Sequence, residues 1–184
     1  ATPTNAAFQL GTGDFSIEAW IYPTKTPAGQ YPTIFRFESG GYNGNGITFF
    51  WRRYNVASTG VSIDCGGVVG LSGTSTVPVG AWTHVAFTRT GNTFALFVNG
   101  VREATTTNSN NFSTNVPVNI GYSSGGSEFP GYISSARVVK GSNPYGVGTT
   151  LTIPTAPLTA ITNTSLLLNF TNGGIVDAAM SNDL

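Results

Sequence analysis

Charge is what this chain of 184 residues has least of. Only 9% of its residues are Asp, Glu, Lys or Arg, against roughly 25% in ordinary soluble domains. Eight basic residues balance eight acidic ones, so the formal net charge is zero. No basic stripe exists to neutralise phosphates, which argues against nucleic acid as a partner. The one local cluster is Arg52-Arg53, set between Trp51 and Tyr54. No apolar run approaches the roughly 18 residues of a spanning helix, so no membrane partner is expected. Nor does a basic start lead into an apolar core, so no signal peptide is visible. The abrupt beginning at Ala1 reads as a mature fragment or a domain cut from something longer. Cys65 is alone, which forbids an intrachain disulfide. Between Asp64 and Gly66 it reads as a small buried residue. His84 is the single histidine, too few for a zinc site and without the partners of a triad. Its expected setting is a strand position packed near Trp82, with both ring nitrogens bonded to backbone.

Aromatic residues are plentiful at 12%, within a hydrophobic total of 40%. That supports one sizeable core and opposes disorder. The length suits one sandwich domain. Solubility then falls to Thr, Ser, Asn and Gly, a composition frequent in extracellular and virion β proteins.

The densest signal is residues 82–105. Val85 and Phe87 alternate with His84, Ala86 and Thr88, the two-residue period of a strand. Gly91-Asn92 reverses the chain. Phe94, Leu96 and Val98 then alternate with Ala95 and Phe97. Asn99-Gly100 predicts a type I′ hairpin turn, because both residues tolerate positive φ. Similar patterns predict strands over 14–22, 32–38, 46–53, 60–65, 82–90, 93–98, 101–106, 117–122, 131–140 and 165–170. Turns are predicted at Pro27-Ala28-Gly29, Ser39-Gly40-Gly41, Gly70-Leu71-Ser72-Gly73 and Gly125-Gly126. The only helical turn expected is Asp177 to Asn182. Many short strands without a helical period mean an all-β sandwich of two antiparallel sheets.

Residues 1–142 read as the sandwich core, and 143–184 as an extended strap with a terminal strand. Pro144, Pro154 and Pro157 space a run of Thr, Ala and Leu before the apolar Ser165-Leu166-Leu167-Leu168-Asn169-Phe170. Residues 165–170 either return to their own sheet or start the next module. Pairing with a neighbouring subunit, and hence a homo-oligomer, is the form the second expectation takes. The first is preferred, because an orphan apolar strand is an aggregation hazard.

Several motifs together resemble laminin-G-like, concanavalin-A-like modules. They are Trp82, His84-Val85-Ala86, Phe97-Val98-Asn99-Gly100, Gly131-Tyr132-Ile133-Ser134 and the opening Gly13-Asp14-Phe15-Ser16-Ile17-Glu18-Ala19-Trp20-Ile21-Tyr22-Pro23. The resemblance implies a concanavalin-A-like jelly-roll sandwich and is weakly specific for function, since the fold hosts lectins, glycosidases and inert spacers. Related glucanases carry Glu-x-Asp-x-x-Glu on one strand. Here Asp14, Glu18, Glu38, Asp64, Glu103, Glu128, Asp177 and Asp183 all read as isolated, so no enzyme and no catalytic residue is expected. Relatives bind calcium at the sandwich rim through an acid and carbonyls. Asp64, Asn43 and Glu128 would be the residues for such a structural calcium, without a dense Asp-x-Asp pattern beside them. No other cofactor is expected.

Glycan recognition is the leading functional expectation. Sugar sites combine aromatic faces with planar polar groups, and residues 40–55 hold both kinds: Tyr42, Asn43, Asn45, Arg52, Arg53 and Tyr54. Trp51 is either part of that set or core. Glu128 and Phe129 form a second candidate rim. Arg52 and Arg53 are expected to meet acidic sugars. The phrase from Ile133 to Gly141 and the strap after it also look like modules of phage fibre and appendage proteins. The chain is therefore expected at an extracellular or virion surface, as a lectin-like adhesin module or as a structural fibre or capsid-decoration unit assembling through its own subunits.

Overall fold

The computed structural model describes residues 1–26, 31–37, 46–51, 60–123 and 127–170. Eleven strands follow in chain order: β1 (Phe15–Pro23), β2 (Thr33–Phe37), β3 (Ile47–Trp51), β4 (Val61–Cys65), β5 (Val69–Ser72), β6 (Thr83–Thr90), β7 (Thr93–Val98), β8 (Val101–Thr107), β9 (Val118–Ile120), β10 (Gly131–Lys140) and β11 (Thr164–Leu168). They form two antiparallel sheets, ordered β11-β10-β1-β6-β7-β8 and β5-β4-β3-β2-β9. This is the concanavalin-A-like jelly-roll sandwich. A single 3-10 turn, Ala6–Phe8, precedes β1, and the Asn5 side chain caps it by accepting from the Ala7 N–H. Among the described residues no helix is long and apolar enough to cross a membrane.

The two-residue period decides which side chains meet. Ile17, Ala19 and Ile21 of β1, Val85 and Phe87 of β6, and Phe94 and Leu96 of β7 point inward. There they meet Phe35, Phe49 and Ile63 of the other sheet. Each such buried Val, Leu, Ile or Phe side chain contributes about 1.5–3 kcal/mol. The alternate residues Ala86, Ala95 and Phe97 are buried too, against Leu151 and the partly buried Tyr145, Val147 and Ile153. Residues 143–163 thus run as a strap over the outer face of the six-stranded sheet. The Leu151 N–H donates to the Gly100 carbonyl at 2.8 Å and the Arg102 N–H to the Thr149 carbonyl at 2.9 Å.

The Asn99-Gly100 turn forms as its residues predict, with φ of 45° and 79°. Gly100 has a second duty. A Cβ there would stand 2.8 Å from the Leu151 carbonyl oxygen and 2.9 Å from Ile153 Cγ1, so the glycine lets the strap pass.

One strand was misread as a turn. The chain reverses at Gly66-Gly67, with φ of 60° and 80°, and not at Gly70–Gly73. Val69 and Leu71 are buried while Gly70 and Ser72 face outward, which makes this segment strand β5. Its glycine occupies a solvent-facing position, where a missing side chain costs little packing. At the other end, β11 pairs antiparallel with β10, and Leu166 and Leu168 enter the inter-sheet core. The helical turn expected at Asp177 to Asn182 lies outside the described residues. So do the turns at Pro27-Ala28-Gly29, Ser39-Gly40-Gly41 and Gly125-Gly126.

Candidate functional site

Of the residues singled out for glycan contact, Tyr42, Asn43, Asn45, Arg52, Arg53 and Tyr54 lie outside the described residues. Glu128 is exposed. Phe129 is buried, its ring 6.0 Å from that of the buried Trp51, so both belong to the core. Asp64 is turned to its own hairpin, where its carboxylate accepts from the Gly67 N–H at 2.9 Å. Among the described residues no three His, Cys, Asp or Glu side chains gather as a metal site would need.

What the sheet does bring together lies on the outer face of β1, where alternation sets Glu18, Trp20 and Tyr22 in a line. Glu18 is fully buried. Its Oε2 lies 3.1 Å from His84 Nε2 and accepts from the Tyr145 hydroxyl at 2.6 Å. Its Oε1 accepts from Arg137 Nε at 2.8 Å. Arg137 also donates to the Thr159 carbonyl and to the Tyr145 oxygen. Burial pushes the Glu18 carboxyl upward, but the His84 hydrogen bond, the Arg137 charge and the Tyr145 hydroxyl outweigh it and hold the group below the usual carboxylate range. Burial, then the Glu18 charge, push the Tyr145 phenol well up.

The reading of Glu18 as an isolated acid is therefore corrected, since its partners come from segments 66, 119 and 127 residues away. The reading of His84 is corrected as well. Its ring stands 5.3 Å from Trp20, its cross-strand partner, and Nε2 meets a carboxylate rather than backbone. Cross-strand neighbours stand closer than same-strand residues two apart, which is why Trp20 takes the place expected for Trp82. A carboxylate beside an imidazole is the outline of a general base. Here it is sealed: Glu18 and His84 are 0% exposed and Arg137 is 5% exposed. The cluster clamps the strap, through Tyr145 and Thr159, to the sheet.

The strap leaves the other half of this face open. There Tyr132, Tyr22 and Trp82 stand in a row across three neighbouring chain segments. Ring centroids lie 6.1 Å apart from Tyr132 to Tyr22 and 5.4 Å apart from Tyr22 to Trp82. Tyr132 is 64% exposed and Trp82 46%, with Tyr22 half-buried between them. Beside Trp82, a cleft of about 380 Å³ opens between Trp20, Ser135 and the strap residues Pro154–Pro157.

A β-bulge makes this arrangement possible. Ser134 pairs with Trp20 and Arg137 with Glu18, so two residues of β10 stand against Ala19 alone. Ser135 takes φ of 49° within the bulge. The extra residue resets the alternation of β10. As a result Tyr132 and Arg137, five positions apart, share the outer face instead of opposing ones. In the sequence, Tyr132 figures only in the family resemblance, and Trp82 in that resemblance and as the neighbour expected for His84. The available signal was the run Glu18, Trp20, Tyr22 at a period of two on one strand.

Two antiparallel sheets in this strand order define a concanavalin-A-like β-sandwich. The chain belongs to the concanavalin A-like lectin/glucanases superfamily, whose laminin G model matches residues 1–142. Comparison with curated proteins found no match. Among solved structures, the chain resembles a Bacteroides ovatus protein named as a candidate carbohydrate binding protein. Identity is 18% and the TM-score 0.66, over 91% of this chain and 50% of that one. It also resembles domain 4 of an extracellular arabinanase from Geobacillus stearothermophilus, solved with arabinotriose. Here identity is 21% and the TM-score 0.58, over 79% of this chain and 65% of that one. A third likeness is to the enzymatically active domain of bacteriophage CBA120 tailspike protein 2, at 15% identity and TM-score 0.52, over 73% of this chain and 23% of that one. At these identities the likenesses show the fold. The chain spans half the length of the Bacteroides protein and 65% of the arabinanase domain.

Proposed function

We propose that the chain is a non-catalytic carbohydrate-recognition module of an extracellular or virion surface protein, and that its glycan rests on the Tyr132–Tyr22–Trp82 row. The exposure of that row is the observation that carries the reading. Large aromatic rings stay exposed in a cluster where they are held for a partner, and ring faces cover the C–H side of a pyranose while the Tyr hydroxyls and the indole N–H meet its hydroxyls. The naming of the Bacteroides protein as a candidate carbohydrate binding protein and the arabinotriose of the arabinanase domain support the same reading.

Glycoside hydrolysis would need two carboxyl groups flanking the scissile bond. The acid nearest the row along β1 is Glu18, sealed beneath the strap and committed to three partners. A net charge of zero gives nucleic acid and anionic membrane surfaces little to attract.

A glycan-array screen of the purified chain, with calcium and again with a chelator, tests this reading. Saturable binding to one sugar class is expected. Binding lost on chelation would add a structural calcium to the reading. A folded chain that retains no sugar and instead self-assembles would overturn the reading in favour of a structural fibre or capsid-decoration unit.

A further inference from the structure

We infer that the ligand is a neutral, unbranched glycan held along its interior, with the Tyr132–Tyr22–Trp82 row as its track and the Trp20 cleft as a flanking subsite. The inference rests on the carbohydrate-recognition reading and narrows it.

The first ground is the shape of the row. Its three rings sit on neighbouring segments of one sheet, so their spacing follows the separation of the strands. That separation repeats on the scale of one sugar in a linked chain. Exposure is lowest at Tyr22 and highest at the flanking rings, Tyr132 and Trp82. The row is therefore open at both of its ends, where a pocket for a single terminal sugar would be closed. A chain can cross it and continue beyond.

The second ground is charge. None of Trp20, Tyr22, Trp82, Tyr132, Ser135 or Thr155 is an Asp, Glu, Lys, Arg or His. Of the charged groups on the same sheet face, Glu18 and Arg137 are paired to each other 2.6 Å apart and buried, and Arg102 of β8, opposite Phe97, donates to the Val147 carbonyl of the strap. A uronate or sialate carboxylate laid on the described part of this face would lose water and gain no counter-ion. A neutral sugar has no such cost. The reading thus moves away from the acidic ligand expected of Arg52 and Arg53.

The third ground is continuity. Trp82 lies both in the row and on the wall of the 380 Å³ cleft. Thr155 and the buried Ser135 line that cleft together with Trp20. It spans the same segments as the row, one step along β1, so a sugar stacked at Trp82 meets one more aromatic side chain there.

The test is a titration series by calorimetry. The probes are neutral linear gluco-, xylo-, manno- and arabino-oligosaccharides as monomer, trimer and hexamer, with oligogalacturonates of matching length. Affinity should rise about tenfold or more from monomer to hexamer within one neutral series. Trp82→Ala and Tyr132→Ala should each lose about tenfold or more, as exposed aromatic anchors of an interface do. Trp82→Phe, which keeps an aromatic face, should retain most of the affinity and shows that the site still folds. A hexamer that binds no better than its monomer overturns the track. So does preference for oligogalacturonates, or binding that survives both alanine substitutions. In each of these cases carbohydrate recognition itself stands. An array that shows a bound sugar while the linear panel is silent likewise overturns the track alone. Silence on both the array and the panel overturns the functional reading with it.

Discussion

Replacing Glu18 with Gln should remove a large part of the stability of this sandwich. The substitution keeps the side-chain shape and deletes the charge. Arg137, 5% exposed, would be left with its guanidinium buried against an amide, and the His84 and Tyr145 contacts would lose their ionic partner. Breaking a buried pair by removing one member costs about 3–5 kcal/mol, out of roughly 5–15 kcal/mol available to a domain. For a chain of this size each kcal/mol moves Tm by about 2–4 °C, so a drop of roughly 6–20 °C follows. Urea unfolding followed by tryptophan fluorescence reads the loss, because Trp20 stands against His84.

The pH dependence has a definite sign. Glu18 titrates below the ordinary carboxylate range when folded. Its contribution is therefore complete above the unfolded value of about 4.3 and disappears as pH falls through the lowered folded value. The gap between the native protein and Glu18→Gln should be widest near neutral pH and narrow in acid. A loss under about 1 kcal/mol, the size of a surface ion pair, would refute the clamp. So would a gap that widens on acidification.

Two further outcomes check the frame that carries the row. Gly100→Ala should destabilise by about 1–2 kcal/mol from its positive φ alone, and by more because the new Cβ meets the Leu151 carbonyl. Urea midpoints measure it, and a loss no larger than the φ cost would mean that the strap does not lie where described. Cys65 is fully buried, and burial together with the Asp64 charge pushes its thiol well up. A thiol reagent at neutral pH should label it only at the rate of unfolding. Rapid labelling of the folded protein would contradict the packing of β4.

The elements legible in the sequence are those whose signals are local. The Asn99-Gly100 turn and the alternation of β6 and β7 are set by neighbouring residues, and they lie where the residues placed them. Strand β5 was missed because Gly70 reads as a breaker in isolation. In the fold it is a solvent-facing edge residue between the buried Val69 and Leu71. The Glu18 cluster was illegible for a different reason. Its members come from β1, β6, β10 and the strap, and only the sheet order brings them together. The aromatic row was half legible. Trp20 and Tyr22 share a face by simple parity, but Tyr132 and Arg137 do so only because of the bulge at Ser135. Nothing in residues 131–140 announces that extra residue. Sequence attention went instead to the aromatics of residues 42–54, which lie outside the described residues.

The claim that glycan rests on this open face can be tested at single tryptophans. The chain has three, and each gives one indole N–H signal in a nitrogen–proton NMR spectrum. Trp82 lies in the row, Trp20 lines the cleft beside it and Trp51 is buried in the core. On titration with whichever sugar the array selects, the account predicts that the Trp82 and Trp20 signals move together and saturate while Trp51 stays still. Saturable binding that leaves Trp82 and Trp20 unmoved would contradict it and place the sugar elsewhere on the sandwich.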